Sequence, residues 1–196
     1  MNETLLTVLI FFSVFVSFSQ IGNTSITFTD NSRNGRSIPC EIYYPATTTG
    51  TDVAASTGVF PVVAVGHGFV IGASSYELVA TELVPQGFIV ALVNTEGGFA
   101  PSHGDFGLDL SFVTHAIQAE GNNSSSILFG HVHPSKEAVL GHSMGGGASW
   151  LAAGVDSEID AVVGLAPAET NPSAIAAAAN VQCPVLLFSG SDDTVT

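Results

Sequence analysis

The fold of this protein is indicated by one short stretch, Leu140-Gly141-His142-Ser143-Met144-Gly145-Gly146-Gly147, which follows the pattern G-x-S-x-G. An apolar run precedes it and a helix-forming run follows, as expected where a strand turns sharply into a helix. Such a turn strains the serine backbone, and it forms only if residues without Cβ, here Gly141 and Gly145, let strand and helix approach. We therefore predict that Ser143 is an exposed nucleophile and that the N–H of Met144 faces a developing oxyanion.

A glycine-rich loop upstream predicts a second donor to that oxyanion. The loop reads Val65-Gly66-His67-Gly68-Phe69 and follows an apolar, β-branched run. The glycines permit tight backbone packing, so the N–H of Phe69 could face the N–H of Met144 across a carbonyl oxygen. The alternative is that these glycines merely end a strand. We expect His67 to stabilise the loop by hydrogen bonding rather than to carry a proton.

Strands and helices alternate on both sides of these motifs. Asn34-Gly35 predicts a hairpin near the start, and strands separated by helix-length segments imply right-handed crossovers. The sequence therefore predicts one α/β domain, a mostly parallel sheet flanked by helices. Predicted strands cover residues 25–29, 38–44, 59–65, 88–93, 138–140, 159–165 and 185–188, and predicted helices cover 74–86, 107–120, 144–153 and 173–179.

Composition limits the possible partners. The 196 residues carry 17 acidic and only three basic side chains, and the net charge of −14 disfavours nucleic acid and anionic membranes. The length suits one domain, and we expect a monomer. Two cysteines exclude a cysteine-rich zinc module, and whether Cys40 and Cys183 form a disulfide stays open.

The amino terminus has the pattern of a secretory signal. Residues 5–18 are nearly all apolar, too few to span a bilayer, and cleavage near Ser19 or Gln20 would follow a small-residue site. We predict a signal peptide at 1–20, a catalytic domain at 21–196 and a secreted protein, extracellular or periplasmic. The first four residues lack the usual positive charge, so a retained anchor or a buried helix stays an alternative.

Three motifs together resemble a known superfamily. The GHSMGG elbow, the HGF loop and the terminal GSDDTV are similar to α/β-hydrolases, in particular the dienelactone hydrolase, chlorophyllase and bacterial cutinase or polyester-hydrolase branch. The resemblance implies a Ser–Asp–His triad in that chain order. It also implies that carboxylic esters are hydrolysed through an acyl-enzyme, without a metal or an organic cofactor. Asp193 fits the triad acid best and Asp192 second, the alternative being a turn aspartate.

The histidine that this resemblance requires does not occur at the expected place. All six histidines precede Ser143, whereas the family's base follows the acid. His131 and His133 are spaced like metal ligands, but no carboxylate or cysteine accompanies them in sequence, so we expect no metal site. We expect the chain to be a fragment that lacks the final strand and helix, is nearly inactive, and exposes the strand at 185–188.

The side chains near the expected site suggest a substrate class. Phe69 and Met144 would offer aromatic and thioether surfaces, which favours apolar or aromatic esters, including bulky or polymeric ones. The stretch after the next strand, residues 165–169, has no tryptophan, which weakens a polymer-specific interpretation, and Trp150 is expected to pack on the elbow helix. Two alternatives stay open: a carboxylesterase for small soluble esters, and a non-catalytic relative that binds an apolar ligand.

Overall fold

The structure, a computed structural model, describes residues 20–193. The predicted signal peptide, apart from Gln20, lies outside these residues. The strands are β1 Gln20–Asp30, β2 Arg36–Ala46, β3 Gly50–Thr51, β4 Phe60–Gly66, β5 Ile89–Val93, β6 Val132–His142, β7 Ala161–Leu165 and β8 Val185–Phe188. The α-helices are α1 Glu77–Leu83, α2 His103–Glu120, α3 Met144–Val155 and α4 Ala174–Ala178.

The described strands form one mixed sheet in the order β3-β1-β2-β5-β4-β6-β7-β8. β1 and β2 pair antiparallel, as do β2 and β5. From β5 through β4, β6 and β7 to β8, every neighbouring pair is parallel. The carboxyl ends of these five strands therefore meet at one edge of the sheet, where ligands bind in open α/β sheets. The predicted α/β-hydrolase fold, with a mostly parallel sheet, is confirmed.

The sheet is buried on both faces, which explains its continuous apolar runs. Along β4 the side chains alternate, so that Val62 and Ala64 join the core under α2 and α3, whereas Val63 and Val65 join the core under α1. Phe106 and Leu110 of α2 complete the first core and are fully buried. Burial of each such side chain stabilises the fold by about 1.5–3 kcal/mol.

Local chemistry accounts for most differences from the predicted boundaries. α2 begins at His103 because Ser102 caps it, its Oγ accepting the Asp105 N–H at 3.3 Å. The helix predicted at 74–86 is divided into two 3₁₀ turns around α1, the second of which, Val84–Gln86, contains a proline. The hairpin prediction is confirmed, since Asn34 and Gly35 have φ of 55° and 71°. The short strand β3 was not predicted.

The cysteines lie too far apart to pair. Cys40 is in β2 and Cys183 precedes β8, and five strand spacings of about 4.8 Å separate these strands. Both thiols are free. Burial raises the pKa of Cys40 to about 12, so its thiol stays protonated at neutral pH. The question left open by the sequence is thereby answered: Cys40 and Cys183 form no disulfide.

β8 is the most exposed strand of the parallel part of the sheet. Val185, Leu186, Leu187 and Phe188 each expose about half of their surface. β8 pairs with β7 on one side and forms the sheet edge on the other. The predicted exposure of residues 185–188 is confirmed. None of the helices in the described part of the chain combines the length and the apolar character that a membrane span requires.

Candidate active site

Ser143 lies between β6 and α3 in a backbone conformation that few side chains adopt. Its φ and ψ are 52° and −118°. Three hydrogen bonds fix this conformation: its N–H donates to Leu165 O at 3.0 Å, and its carbonyl accepts the N–H of Gly147 at 3.0 Å and of Ala168 at 2.9 Å. The side chain is half-buried. The strained turn expected of a nucleophile elbow is therefore present at this serine.

The glycines around Ser143 bring three backbone segments into direct contact. A Cβ on Gly141 would overlap the carbonyl group of Gly145, and a Cβ on Gly145 would overlap the carbonyl group of Gly66. Gly66 and Gly141 are also register partners on the neighbouring strands β4 and β6. The loop after β4 therefore lies directly beside the elbow, which is where a second oxyanion donor is needed.

The two proposed oxyanion donors have hydrogens available. Met144 is the first residue of α3, so its N–H has no partner within the helix. In the loop, the carbonyl of Gly68 accepts the Ile71 N–H at 3.1 Å and lies 2.9 Å from His67 Nδ1. These contacts fix the Gly68–Phe69 peptide, whose N–H points to the opposite side because the peptide is trans. Among the described residues, no acceptor takes either the Met144 or the Phe69 N–H.

His67 is a fully buried connector rather than an exposed base. Its Nε2 lies 2.7 Å from the carbonyl of Thr95. The Thr95 hydroxyl donates to buried Asp109 at 2.6 Å, and Asp109 binds Arg36 through both carboxylate oxygens, at 2.7 and 2.6 Å. The hydrogen bonds that Arg36 donates to Asp109 raise the pKa of its guanidinium, which stays charged. The loop thus rests on a polar network that the sequence motifs did not reveal.

A second connector joins the loop to the elbow. The hydroxyl of Tyr76 accepts the N–H of Gly68 at 2.9 Å and lies 2.7 Å from Nδ1 of His142. The hydroxyl can donate its single hydrogen to Nδ1 while it accepts the N–H of Gly68, so one side chain links the loop to the elbow. Burial raises the pKa of Tyr76, so the phenol keeps this hydrogen at neutral pH. Tyr76 was missed because it carries no motif and lies 66 residues from His142.

The candidate triad acids lie at the same sheet edge as Ser143. Asp192 is exposed and Asp193 half-buried in the turn that follows β8, where the Asp193 N–H donates to Gly190 O at 3.2 Å. β8 and β6 are separated by β7 alone, so the two carboxyl ends lie about 10 Å apart. A gap of this width between serine and acid can be bridged by one imidazole.

No histidine among the described residues is hydrogen-bonded to the Ser143 hydroxyl. The ring of His142, the residue before Ser143, is hydrogen-bonded to Tyr76 instead. The remaining four have partners elsewhere: His103 with Asn171, His115 with Asp156, His131 with Gly58 and His133 with Ser135. The expectation that this chain lacks the base of the triad therefore stays a prediction.

A strand–turn–helix elbow on a mostly parallel sheet flanked by helices is typical of the α/β-hydrolase fold, and this chain has that fold. The chain belongs to the PET hydrolase-like family, whose family model matches residues 20–196. Its members are α/β-hydrolase-type enzymes that act on esters, in agreement with the resemblance to the cutinase and polyester-hydrolase branch. A comparison with curated proteins gives no match.

Proposed function

We propose that this chain provides the nucleophile of a secreted hydrolase that cleaves carboxylic esters through an acyl-enzyme at Ser143. The observation that carries the proposal is the positive φ of Ser143 at a glycine-packed elbow, at the edge where five parallel strands end. Membership of an ester-hydrolase family supports it. The chain's own contribution is a positioned nucleophile, two amide donors and a triad carboxylate.

The mechanism assigns one task to each of these groups. Ser143 Oγ attacks the ester carbonyl as its proton passes to a histidine base, and Asp193 holds that imidazole in the right tautomer. The N–H groups of Phe69 and Met144 stabilise the tetrahedral oxyanion. Its collapse breaks the C–O bond, and the imidazolium protonates the leaving alcohol. Water then repeats the sequence on the acyl-enzyme and releases the acid.

The substrate class follows from the surface near the elbow. Phe69, Val70 and Ile71 expose 50%, 40% and 37% of their surfaces, and Phe99, which follows β5 at the same sheet edge, exposes 86%. Exposed apolar side chains of this kind favour aromatic or long apolar esters, including polyesters. The lone Trp150 does not contribute, because it is half-buried against the core. Comparing hydrolysis of p-nitrophenyl acetate with that of a polyester film separates this proposal from a small-ester carboxylesterase.

The central experiment is active-site labelling with a fluorophosphonate, with and without added imidazole as an external base. We expect slow labelling of the 196-residue chain, acceleration by imidazole, and a modified peptide that contains Ser143. Ser143→Ala should abolish labelling, whereas Ser75→Ala, at an exposed serine, should leave it unchanged. Equal labelling of Ser143→Ala would refute the assignment and favour a non-catalytic ligand-binding relative.

Secretion is tested separately. We propose that residues 1–20 direct export and are removed, and that the mature protein acts on external esters without an attached membrane anchor. Expression of the full chain in a secreting host should yield a product whose amino terminus, read by Edman degradation, begins near residue 20 or 21. A product that keeps Met1 would support the retained-anchor alternative.

A further inference from the structure

A second group of chemically active side chains lies away from Ser143. It comprises His115 on α2, Glu137 on β6 and Glu158 in the loop after α3. His115 Nδ1 lies 3.6 Å from Glu137 Oε2 and 3.7 Å from Glu158 Oε2, and the three ligand atoms are all within 4.8 Å of one another. Glu137 precedes Ser143 by six residues, so the cluster lies about 20 Å from the elbow along the strand.

The imidazole of His115 is oriented by a fourth residue. Its Nε2 lies 2.8 Å from Oδ2 of Asp156 and donates to it. Asp156 is itself fixed by the Ser111 hydroxyl at 2.6 Å and by the Glu158 N–H at 3.0 Å. In the neutral imidazole, which carries its hydrogen on Nε2, the lone pair of Nδ1 faces the two glutamates. A carboxylate behind one ring nitrogen and a free lone pair on the other is the usual arrangement of a metal-binding histidine.

Glu137 provides an independent sign of a missing ligand. Its side chain is 1% exposed, and its Oε1 is buried without a hydrogen-bond partner. The other oxygen, Oε2, accepts from Gln118 at 2.8 Å. The Thr114 hydroxyl lies beside this carboxylate and 2.7 Å from the carbonyl of Ser111, so these two acceptors compete for its single hydrogen. A buried carboxylate oxygen without a partner is unfavourable unless a cation or a donor supplies one.

No basic side chain neutralises this group of carboxylates. The sequence has only three lysines and arginines, and each forms an ion pair elsewhere: Arg33 with Asp30, Arg36 with Glu96 and Asp109, and Lys136 with Asp160. Among the ion pairs of the described residues, His115 is therefore the one partner of these three carboxylates, Glu137, Asp156 and Glu158. Three carboxylates around one imidazole leave a negative local charge, which a divalent cation would balance.

We propose that His115, Glu137 and Glu158 bind a zinc ion, with water in the fourth position. Tetrahedral zinc with bonds of about 2.0–2.2 Å places its ligand atoms about 3.3–3.6 Å apart, close to the 3.6 and 3.7 Å that separate His115 Nδ1 from the two glutamate oxygens. An imidazole ligand selects zinc over calcium and magnesium, which prefer oxygen alone. Glu158 is 76% exposed, so the ion can enter from solvent. The ion would connect α2, β6 and the loop after α3, and it takes no part in ester cleavage.

The test is calorimetric titration of the EDTA-treated 196-residue chain with zinc chloride, followed by thermal unfolding. We expect one zinc per chain and a Tm raised by roughly 5–10 °C at a hundredfold excess over Kd. Glu158→Gln, an exposed substitution that leaves the metal-free Tm unchanged, should weaken binding at least tenfold. His115→Ala should abolish it.

Two variants serve as controls. Glu82→Gln removes an exposed carboxylate outside the cluster, and His133→Ala removes a histidine from the pair spaced like a metal motif. Both should bind zinc with the wild-type Kd. Unchanged zinc binding by Glu158→Gln, loss of binding only in His133→Ala, or binding of calcium but not zinc would each overturn the proposal. Because no readout uses ester hydrolysis, failure here leaves the proposed function untouched.

Discussion

Ser143 adopts a positive φ that costs about 1–3 kcal/mol for a residue with a side chain. The structure holds it there through backbone hydrogen bonds to the chain on either side, and through the absence of side chains at Gly141 and Gly145. The strained turn is formed by neighbouring residues that follow the G-x-S-x-G pattern, which is why the elbow at residues 140–147 could be predicted from the sequence alone. Tyr76 and Asp109 could not, because their partners are distant in the chain and their positions follow only from the folded sheet.

We predict that Gly145→Ala destabilises the protein by about 3 kcal/mol or more. The new Cβ would overlap the carbonyl group of Gly66, and neither backbone can move without breaking strand or helix hydrogen bonds. Urea unfolding followed by circular dichroism measures the change. Gly97→Ala is the matched control, because a Cβ there meets no atom within 4 Å, and it should change stability by less than about 0.5 kcal/mol.

Asp30, the last residue of β1, predicts a pH dependence of the stability. Burial opposes its charge, but hydrogen bonds from Ser32 and Arg33 outweigh burial and lower the pKa of Asp30 below its ordinary 3.8. A lowered folded-state pKa means that the contribution is present above about pH 4 and is lost as pH falls through the folded value. As the pH falls from 4 to 2, the urea midpoint of Asp30→Asn should therefore decrease less steeply than that of the wild type. An equally steep decrease in Asp30→Asn would contradict this, and Asp52→Asn should resemble the wild type.

At the scale of elements, the hydrophobic pattern predicted most strands and helices but not their ends. Residues 185–188 were predicted with their observed bounds, since an apolar run ends there in a turn sequence. β6, by contrast, begins at Val132, six residues before the predicted start, because polar residues such as Lys136 can occupy a strand whose partner is already fixed. A single sequence shows the secondary-structure propensities of its residues, but it does not show which strands pair with one another.

The 3₁₀ turn Ala73–Tyr76 joins two elements of the candidate site through one hydroxyl. We predict that Tyr76→Phe lowers the imidazole-stimulated fluorophosphonate labelling rate about tenfold or more, because loss of the bond to Gly68 loosens the loop that carries the Phe69 N–H. Stability should fall by only about 1 kcal/mol. Tyr43→Phe removes a hydroxyl with one long bond, 3.4 Å to Glu41, and should label normally. A labelling rate for Tyr76→Phe equal to that of Tyr43→Phe would show that the bond does not position the donor.

At the scale of the whole molecule, the exposed β8 predicts association. Half-exposed apolar residues on an edge strand favour pairing with another chain. Length alone favours a monomer, but with β8 exposed we expect the 196-residue chain to form concentration-dependent oligomers by light scattering, and Leu186→Lys to shift it toward monomer. Leu78→Lys replaces an isolated leucine on α1 that is 70% exposed and should leave association unchanged. A monomeric wild type at high concentration would contradict this prediction.

The contact of bare backbones among Gly66, Gly141 and Gly145 also has a consequence for protein engineering. It separates the neighbourhood of Ser143 into positions that accept no larger residue, Gly141 and Gly145, and positions, such as Phe69 and Ile71, whose side chains are partly exposed. Saturation libraries aimed at new substrates should therefore be confined to the partly exposed positions. Clones randomised at Gly141 or Gly145 will be lost to insolubility before selection can act on their catalysis.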